Sequence, residues 1–304
     1  MITCLSWFGP ALACTLAPML LSVVNRVKAL VAGRNGQPLL QPYRDLARLL
    51  QKGAVYSETT SWVLPLATVV VLATALVALL LVPMGAVPAV IAFPGDFIVL
   101  AALLALNRVS LVLAALDTGS SLEGMGASRA TQLAPLAEPA LLLALAAVAR
   151  LTGHLSLSGM FSQLSTAASW PVAPILFPVT LALVIVCLVE NARLPVDDPD
   201  THLELTMIHE GMVLDHSGPD LAIVQYAGTL KLWVLGSLVV GVVLPVTGAV
   251  GPVSLLVTVG GLIALAAGIG GLESTMARLR LRHVPRLLMG ALVAAFLALV
   301  LVFR

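Results

Sequence analysis

Six charged side chains interrupt otherwise apolar runs: Arg108, Glu138, Arg150, Glu190, Lys231 and Glu273. Arg108 follows Asn107, Glu138 precedes Pro139, and Glu273 closes a glycine-rich stretch. A charge held at mid-bilayer costs on the order of 3 kcal/mol, so each one retained is a functional candidate. Two chemistries suit these residue types. They can form static ion pairs that pack helices, or they can line a hydrated path where carboxylates and an amine with shifted pKa values exchange protons. Spacing along the chain does not decide which charges meet, so both readings stay open.

The densest polar stretch runs from Glu190 to Asp220 and holds more than half of the 15 acidic residues and three of the five histidines. It begins Glu190-Asn-Ala-Arg193-Leu-Pro195-Val-Asp197-Asp198-Pro199 and continues through Thr201, His202, Glu204, His209, Glu210, Asp215 and His216. His209-Glu210 opens like the HExxH zinc motif, but Val213 stands where its second histidine is needed. The aspartates lack the glycine and the periodic oxygens of a calcium loop. No metal site is expected in this chain. Thr201 and Glu204 have the spacing of a capping box, which predicts a short polar helix bearing His202, Thr206 and His209. Its charges are either solvated and hold the loop's shape, or they form a partner interface or a mouth for protons or a quinone-like ligand.

These residues are positioned by a chain with 60% hydrophobic and only 10% charged residues, a mean hydropathy of +1.05 and a net charge of +1. An average soluble domain carries about 25% charged residues. A soluble enzyme, a disordered regulator and a nucleic-acid binder are therefore excluded, and an all-α integral membrane protein remains, since helices satisfy their own backbone in lipid. Cys4, Cys14 and Cys187 are widely spaced in apolar sequence and read as small buried hydrophobes. Eight segments have span length, at approximately 2–25, 61–83, 95–116, 134–152, 173–192, 226–246, 252–274 and 285–303. They form one domain, 1–304. The first is read as a retained span, because its basic residues follow it.

Orientation follows from lysine and arginine. Arg26, Lys28, Arg34, Arg44, Arg48, Lys52, Arg129, Arg193, Arg278, Arg280, Arg282 and Arg286 fall on the odd-numbered loops, against Arg150 and Arg304 on the other side. Loops 26–60, 117–133, 193–225 and 275–285 are thus read as cytoplasmic and both termini as non-cytoplasmic. In the first loop Gln41–Lys52 predicts a short interfacial helix, with Arg44, Arg48 and Lys52 at i, i+4, i+8 and a stripe of Leu46, Leu49 and Leu50. It is either an anchor or a docking surface for a soluble partner.

The fifth-loop motif, continuing Thr201-His-Leu-Glu204-Leu-Thr-Met-Ile-His209-Glu210 and Met212-Val-Leu-Asp215-His216-Ser217-Gly218-Pro219-Asp220-Leu221, resembles the formate hydrogenlyase subunit 4 and hydrogenase-4 component C branch of the respiratory-chain NADH dehydrogenase subunit 1 family. Gly33-Arg-Asn-Gly36-Gln-Pro38 through Asp45, and Gly119 through Arg129 leading to Glu138-Pro139, resemble that family's first and third loops. The resemblance implies a membrane anchor of a group 4 [NiFe]-hydrogenase-type complex in a prokaryotic cell (inner) membrane. The [NiFe] centre and Fe–S clusters would belong to partners: the hydrogenase large and small subunits and an Fe–S subunit. Antiporter-like membrane subunits would neighbour the chain in the bilayer. Quinone-using relatives border their quinone chamber with these regions. Here the segment reads His-Leu-Glu-Leu-Thr-Met-Ile-His-Glu, which places a quinone site in doubt.

From this resemblance and from the rarity of charges in lipid, Glu190, Arg193, Glu204, Glu210 and Asp215 are expected to sense or relay charge on the cytoplasmic side, with Glu138, Arg108 and Lys231 as inner members. Arg34, Arg44, Arg48, Asp197, Asp198, His202 and His209 are expected on partner-docking loops. The expected function is anchoring and coupling in an H2-linked oxidoreductase. Its rivals are a quinone-site subunit, a passive scaffold and a stand-alone cation transporter, the last disfavoured because no internal repeat is visible.

Overall fold

The apolar runs fold as helices, as backbone satisfaction in lipid demands. A computed structural model describes residues 2–166, 173–197, 208–245 and 252–303. Its helices are α1 Ile2–Val31, α2 Gln41–Leu50, α3 Val63–Leu81, α4 Asp96–Asp117, α5 Ser121–Thr152, α6 Leu157–Thr166, α7 Ala173–Glu190, α8 His209–Met212, α9 Gly218–Val243, α10 Pro252–Thr275 and α11 Val284–Val302. Among the described residues there is no strand, only a β-bridge between Met84 and Val87. Among the described residues seven helices are long and apolar enough to cross a membrane, and the apolar Pro174–Glu190 stretch of α7 is shorter.

α9 is the axis of the bundle. It packs against α1, α3, α7 and α10, and Leu230, Trp233, Leu235 and Leu238 on it are buried. On one side α5 and α11 approach closely through small residues, with Ala137, Ala140, Ala144 and Ala147 facing a helix that buries Ala291, Ala294, Ala295 and Ala298. On the other side α10 lies against α1. A Cβ at Gly270 would stand 2.7 Å from the Val24 carbonyl oxygen, so the two backbones nearly touch there.

Pro10 and Pro18 lie inside α1. A proline lacks the N–H that would serve the carbonyl four residues earlier, which for Pro18 is that of Cys14. Tyr226 of α9 donates its hydroxyl to that carbonyl at 2.8 Å. Tyr43 of α2 donates to the adjacent Thr15 carbonyl, and the Ser22 hydroxyl of α1 donates to the Leu39 carbonyl at 2.7 Å. The predicted interfacial helix is thus present as α2 and is fastened along α1.

Two elements differ from the sequence reading. α5 begins at Ser121, well before the expected span start at 134, so much of the stretch read as loop 117–133 is helix. Gly126 lets α8 lie against α5, since a Cβ there would meet the Ile208 carbonyl oxygen at 2.9 Å. The second is α6, a helix between α5 and α7 that was not expected. Asp96 at the start of α4 caps it, accepting the Leu157 N–H at 2.8 Å.

Candidate functional site

Four helices each contribute one charge to a single row. Arg108 of α4 donates to Glu138 of α5 at 2.7 Å and to Glu190 at the end of α7, and Glu190 faces the Lys231 ammonium of α9 at 3.8 Å. The order Glu138, Arg108, Glu190, Lys231 alternates in sign and sums to zero. Asn107, beside Arg108, turns to α3, where its amide donates to the Val71 carbonyl and the Thr74 hydroxyl. That bond fixes the face α4 presents, and with it Arg108. The Arg108, Glu190 and Lys231 side chains are almost wholly enclosed, whereas Glu138 keeps 38% of its side chain exposed on α5.

A second cluster lies beside the first. Glu273 of α10 has no exposed side-chain surface and stands between Lys28 of α1 at 3.2 Å and Arg193 at 3.6 Å. The close approach of α1 and α10 at Val24 and Gly270 makes this possible, because one helical turn further on Lys28 and Glu273 come level. A third pair joins Arg278 to Asp197 at 2.6 Å. The other Asp197 oxygen accepts the N–H groups of Ile208 and His209 at 3.0 and 3.1 Å.

The end of α7 sends its charges to two clusters. Ala192 takes φ of +48°. The Arg193 N–H bonds the Leu188 carbonyl and the Ala192 N–H bonds that of Val189, the Schellman pattern of a helix C-terminus. The reversal leaves Glu190 in the row and carries Arg193 across to Glu273.

A cavity of about 260 Å³ opens beside this junction, walled by Asn25 of α1, Pro42, Asp45 and Leu46 of α2, Gln225 and Thr229 of α9, and Glu190, Arg193, Asp197, His209, Glu210 and Lys231. A smaller one of about 50 Å³ shares Glu190, Asp197, His209 and Lys231 and adds Arg108. Both cavities therefore adjoin the Glu190–Lys231 end of the row. His209 sits at both. Burial, then the cations Lys231 and Arg193 and the neighbouring imidazole of His216, push its imidazole down to about 4, so it is neutral at physiological pH. Burial likewise lowers His216, against the pull of Asp220 and Asp215.

The structure thus joins Arg108, Glu138, Glu190 and Lys231, with Arg193 in the neighbouring cluster and Glu210 on the cavity wall. Asp215 is exposed; its backbone N–H donates to Glu123 at 2.9 Å, and its negative charge is felt at His216. Asp197 does not sit on a docking surface: it is 1% exposed and committed to Arg278 and the two amides. His209 faces the cavities. Arg34, Arg44 and Arg48 are exposed on the first loop and α2. Asp198, His202 and Glu204, with the Thr201 capping box, lie outside the described residues. Among the described residues no three His, Cys, Asp or Glu side chains converge on a metal position.

Three participants escaped the site reading: Lys28, Glu273 in its pairing role, and Glu123, fully buried and accepting from Thr118 and Asp215. The signal for the first two was the Gly268-Ile-Gly270-Gly271 run, which marks a close helix approach one turn before Glu273.

Comparison with known proteins places these features in context. Residues 6–304 match the family described as NADH dehydrogenase. Over 294 residues the chain is 32% identical to formate hydrogenlyase subunit 4 of Escherichia coli (strain K12), covering 93% of each. Over 230 residues it is 31% identical to hydrogenase-4 component C of the same organism, covering 76% of this chain and 71% of that one. A chain in the structure of the membrane-bound sulfane sulfur reductase, an archaeal respiratory membrane complex, superposes with a TM-score of 0.83 over 99% of both chains at 17% identity, a likeness of fold.

Proposed function

The chain belongs to the NADH dehydrogenase family, and from that premise we propose that it is the membrane-anchoring and coupling subunit of a multi-subunit, H2-linked oxidoreductase. It is a multi-pass helical membrane protein related to hydrogenase-4 and formate hydrogenlyase subunits, which supports membership of such a complex. In the proposed topology α7 is the eighth span, both termini are non-cytoplasmic, and the ends bearing α2, α8 and the α10–α11 connection face the cytoplasm. The [NiFe] centre and Fe–S clusters are assigned to soluble partners docked on the first and fifth loops, the connections that bear α2 and α8.

The observation that carries the coupling role is the neutral row Glu138–Arg108–Glu190–Lys231. At an effective dielectric of about 20, unit charges 3.8 Å apart interact by about 4 kcal/mol before desolvation. Neutralising Glu190 therefore strongly changes the balance at Lys231 and Arg108, and the change is felt at Glu138. That half-exposed carboxylate on a span is costly in lipid, which suits contact with a neighbouring membrane subunit of antiporter-like type. The cytoplasmic end of the row meets the cavity that His209 and Glu210 help wall, so movement of the fifth loop reaches Glu190 and Lys231 directly.

A quinone-site role is the second reading, favoured by the position of the 260 Å³ cavity beneath α2. It predicts a quinone retained through mild purification and inhibition by quinone-site competitors. Gentle detergent purification, with identification of every co-purifying subunit, tests the primary reading. A large subunit with nickel-binding cysteines is expected, and its consistent absence overturns the assignment. In inverted vesicles Glu190→Gln and Glu138→Gln are expected to lose ion uptake during H2-linked turnover. Unchanged turnover with unchanged uptake in both variants refutes coupling through the row.

A further inference from the structure

Beyond Glu273 the chain contains no acidic residue, yet Arg280, Arg282 and Arg286 crowd the connection from α10 into the first turn of α11. All three are exposed and have no ion pair among the described residues, whereas the nearby Arg278 is paired with Asp197. Arg286 is placed against the helix dipole, since a cation is disfavoured in the first turn of a helix. The N-cap residue His283 makes no side-chain cap bond there. Below Arg286 on the same face of α11 run Met289, Val293, Phe296, Leu297 and Val300, all exposed, at the spacing of one helical stripe. A cationic cluster at the end of a span, continuous with an apolar stripe down that span, has the polarity of one lipid molecule: anionic headgroup above, acyl chains below. A soluble partner would leave the stripe uncovered.

We propose that Arg280, Arg282 and Arg286 bind the headgroup phosphate of an anionic phospholipid whose acyl chains lie along α11. The site bears on the charge clusters. Leu279 donates its N–H to the Pro195 carbonyl at 2.9 Å, and Arg278 holds Asp197, so the connection that grips the headgroup is tied to the start of the fifth loop.

The test is native mass spectrometry of the purified full-length chain in detergent, titrated with phosphatidylglycerol, and with phosphatidylcholine as the neutral lipid. Each basic residue near an anionic headgroup contributes about fivefold in affinity, so Arg280→Gln/Arg282→Gln/Arg286→Gln is expected to weaken phosphatidylglycerol binding on the order of 100-fold, and Arg286→Gln alone about fivefold. A control that removes the same charge elsewhere, Arg34→Gln/Arg44→Gln/Lys52→Gln, is expected to keep wild-type affinity. The proposal is overturned if the first triple variant binds like wild type, if the control loses as much, or if phosphatidylcholine binds equally well. Displacement of the lipid by millimolar inorganic phosphate overturns it too, by assigning the cluster to a free anion. Arg286→Gln keeps the test decisive should the triple variant fail to fold.

Discussion

Removing one member of the charge row should cost more than removing two. Glu190 and Lys231 are 5% and 9% exposed at their side chains and 3.8 Å apart. Glu190→Gln leaves Arg108 and Lys231 facing a single remaining carboxylate, Glu138, and gives the row a net charge of +1. Breaking a buried pair by deleting one partner destabilises by about 3–5 kcal/mol. Lys231→Met leaves the opposite imbalance. The double variant restores neutrality, because Arg108 still has Glu138 at 2.7 Å. With a gross pair attraction of about 4 kcal/mol at an effective dielectric of about 20, the expected coupling is about 2–4 kcal/mol, and Glu190→Gln/Lys231→Met should be more stable than Glu190→Gln alone. Unfolding in mixed detergent–SDS micelles measures it. Trp233, buried two residues beyond Lys231, supplies the fluorescence signal. If the two single effects add to within about 0.5 kcal/mol, the row is not an electrostatic unit and the coupling argument falls.

Three further outcomes follow from the neighbouring groups. Glu273→Gln removes the carboxylate that Lys28 and Arg193 share and should destabilise by about 3 kcal/mol, with Lys28→Met in the same chain recovering part of the loss; a double variant no better than Glu273→Gln would refute the triad. Because the His209 imidazole titrates at about 4 in the folded chain against about 6.5 unfolded, the unfolded chain binds the extra proton between those values. Stability should fall as pH drops through that window, by on the order of 3 kcal/mol, and His209→Asn should flatten this part of the stability–pH curve. Ala192 holds a left-handed conformation that costs an L-residue roughly 1–2 kcal/mol, so Ala192→Gly should raise the unfolding midpoint in the same micelle assay, and a lowered midpoint would contradict the strain.

The apolar helices and the interfacial helix were legible because length, hydropathy and amphipathic spacing depend on local sequence alone, whereas the early start of α5 and the short α6 were not. Charge scarcity picked out Arg108, Glu138, Glu190 and Lys231, since a charge in an apolar run is costly wherever it ends up. What could not be read is partner choice. Lys28 looked like one more basic residue marking a cytoplasmic loop, and only the contact of α1 with α10 at Gly270 makes it the counter-ion of Glu273. Asp197 looked like surface charge within an acidic run, and its burial depends on Arg278, 81 residues away. The end of α7 was hidden for a different reason. A Schellman cap usually announces itself by glycine, and here alanine occupies that position.

That concealed turn connects the separate charge groups. Glu190 and Arg193 are three residues apart, and on a continued helix they would share a face and pair with each other. The left-handed Ala192 prevents this, turning Arg193 toward α1 and α10 while Glu190 stays with α4 and α9. Immediately afterwards Asp197 grips Arg278 and the amides of Ile208 and His209. The fifth loop is thus tethered at both of its described ends beside Lys231. A partner pressing on that loop cannot displace His209 without disturbing Asp197, and through Arg278 and Leu279 the connection into α11 as well. On the proposed coupling role the row would respond to the loop through these hydrogen-bonded contacts, and mutation of exposed loop charges alone is expected to leave that link intact.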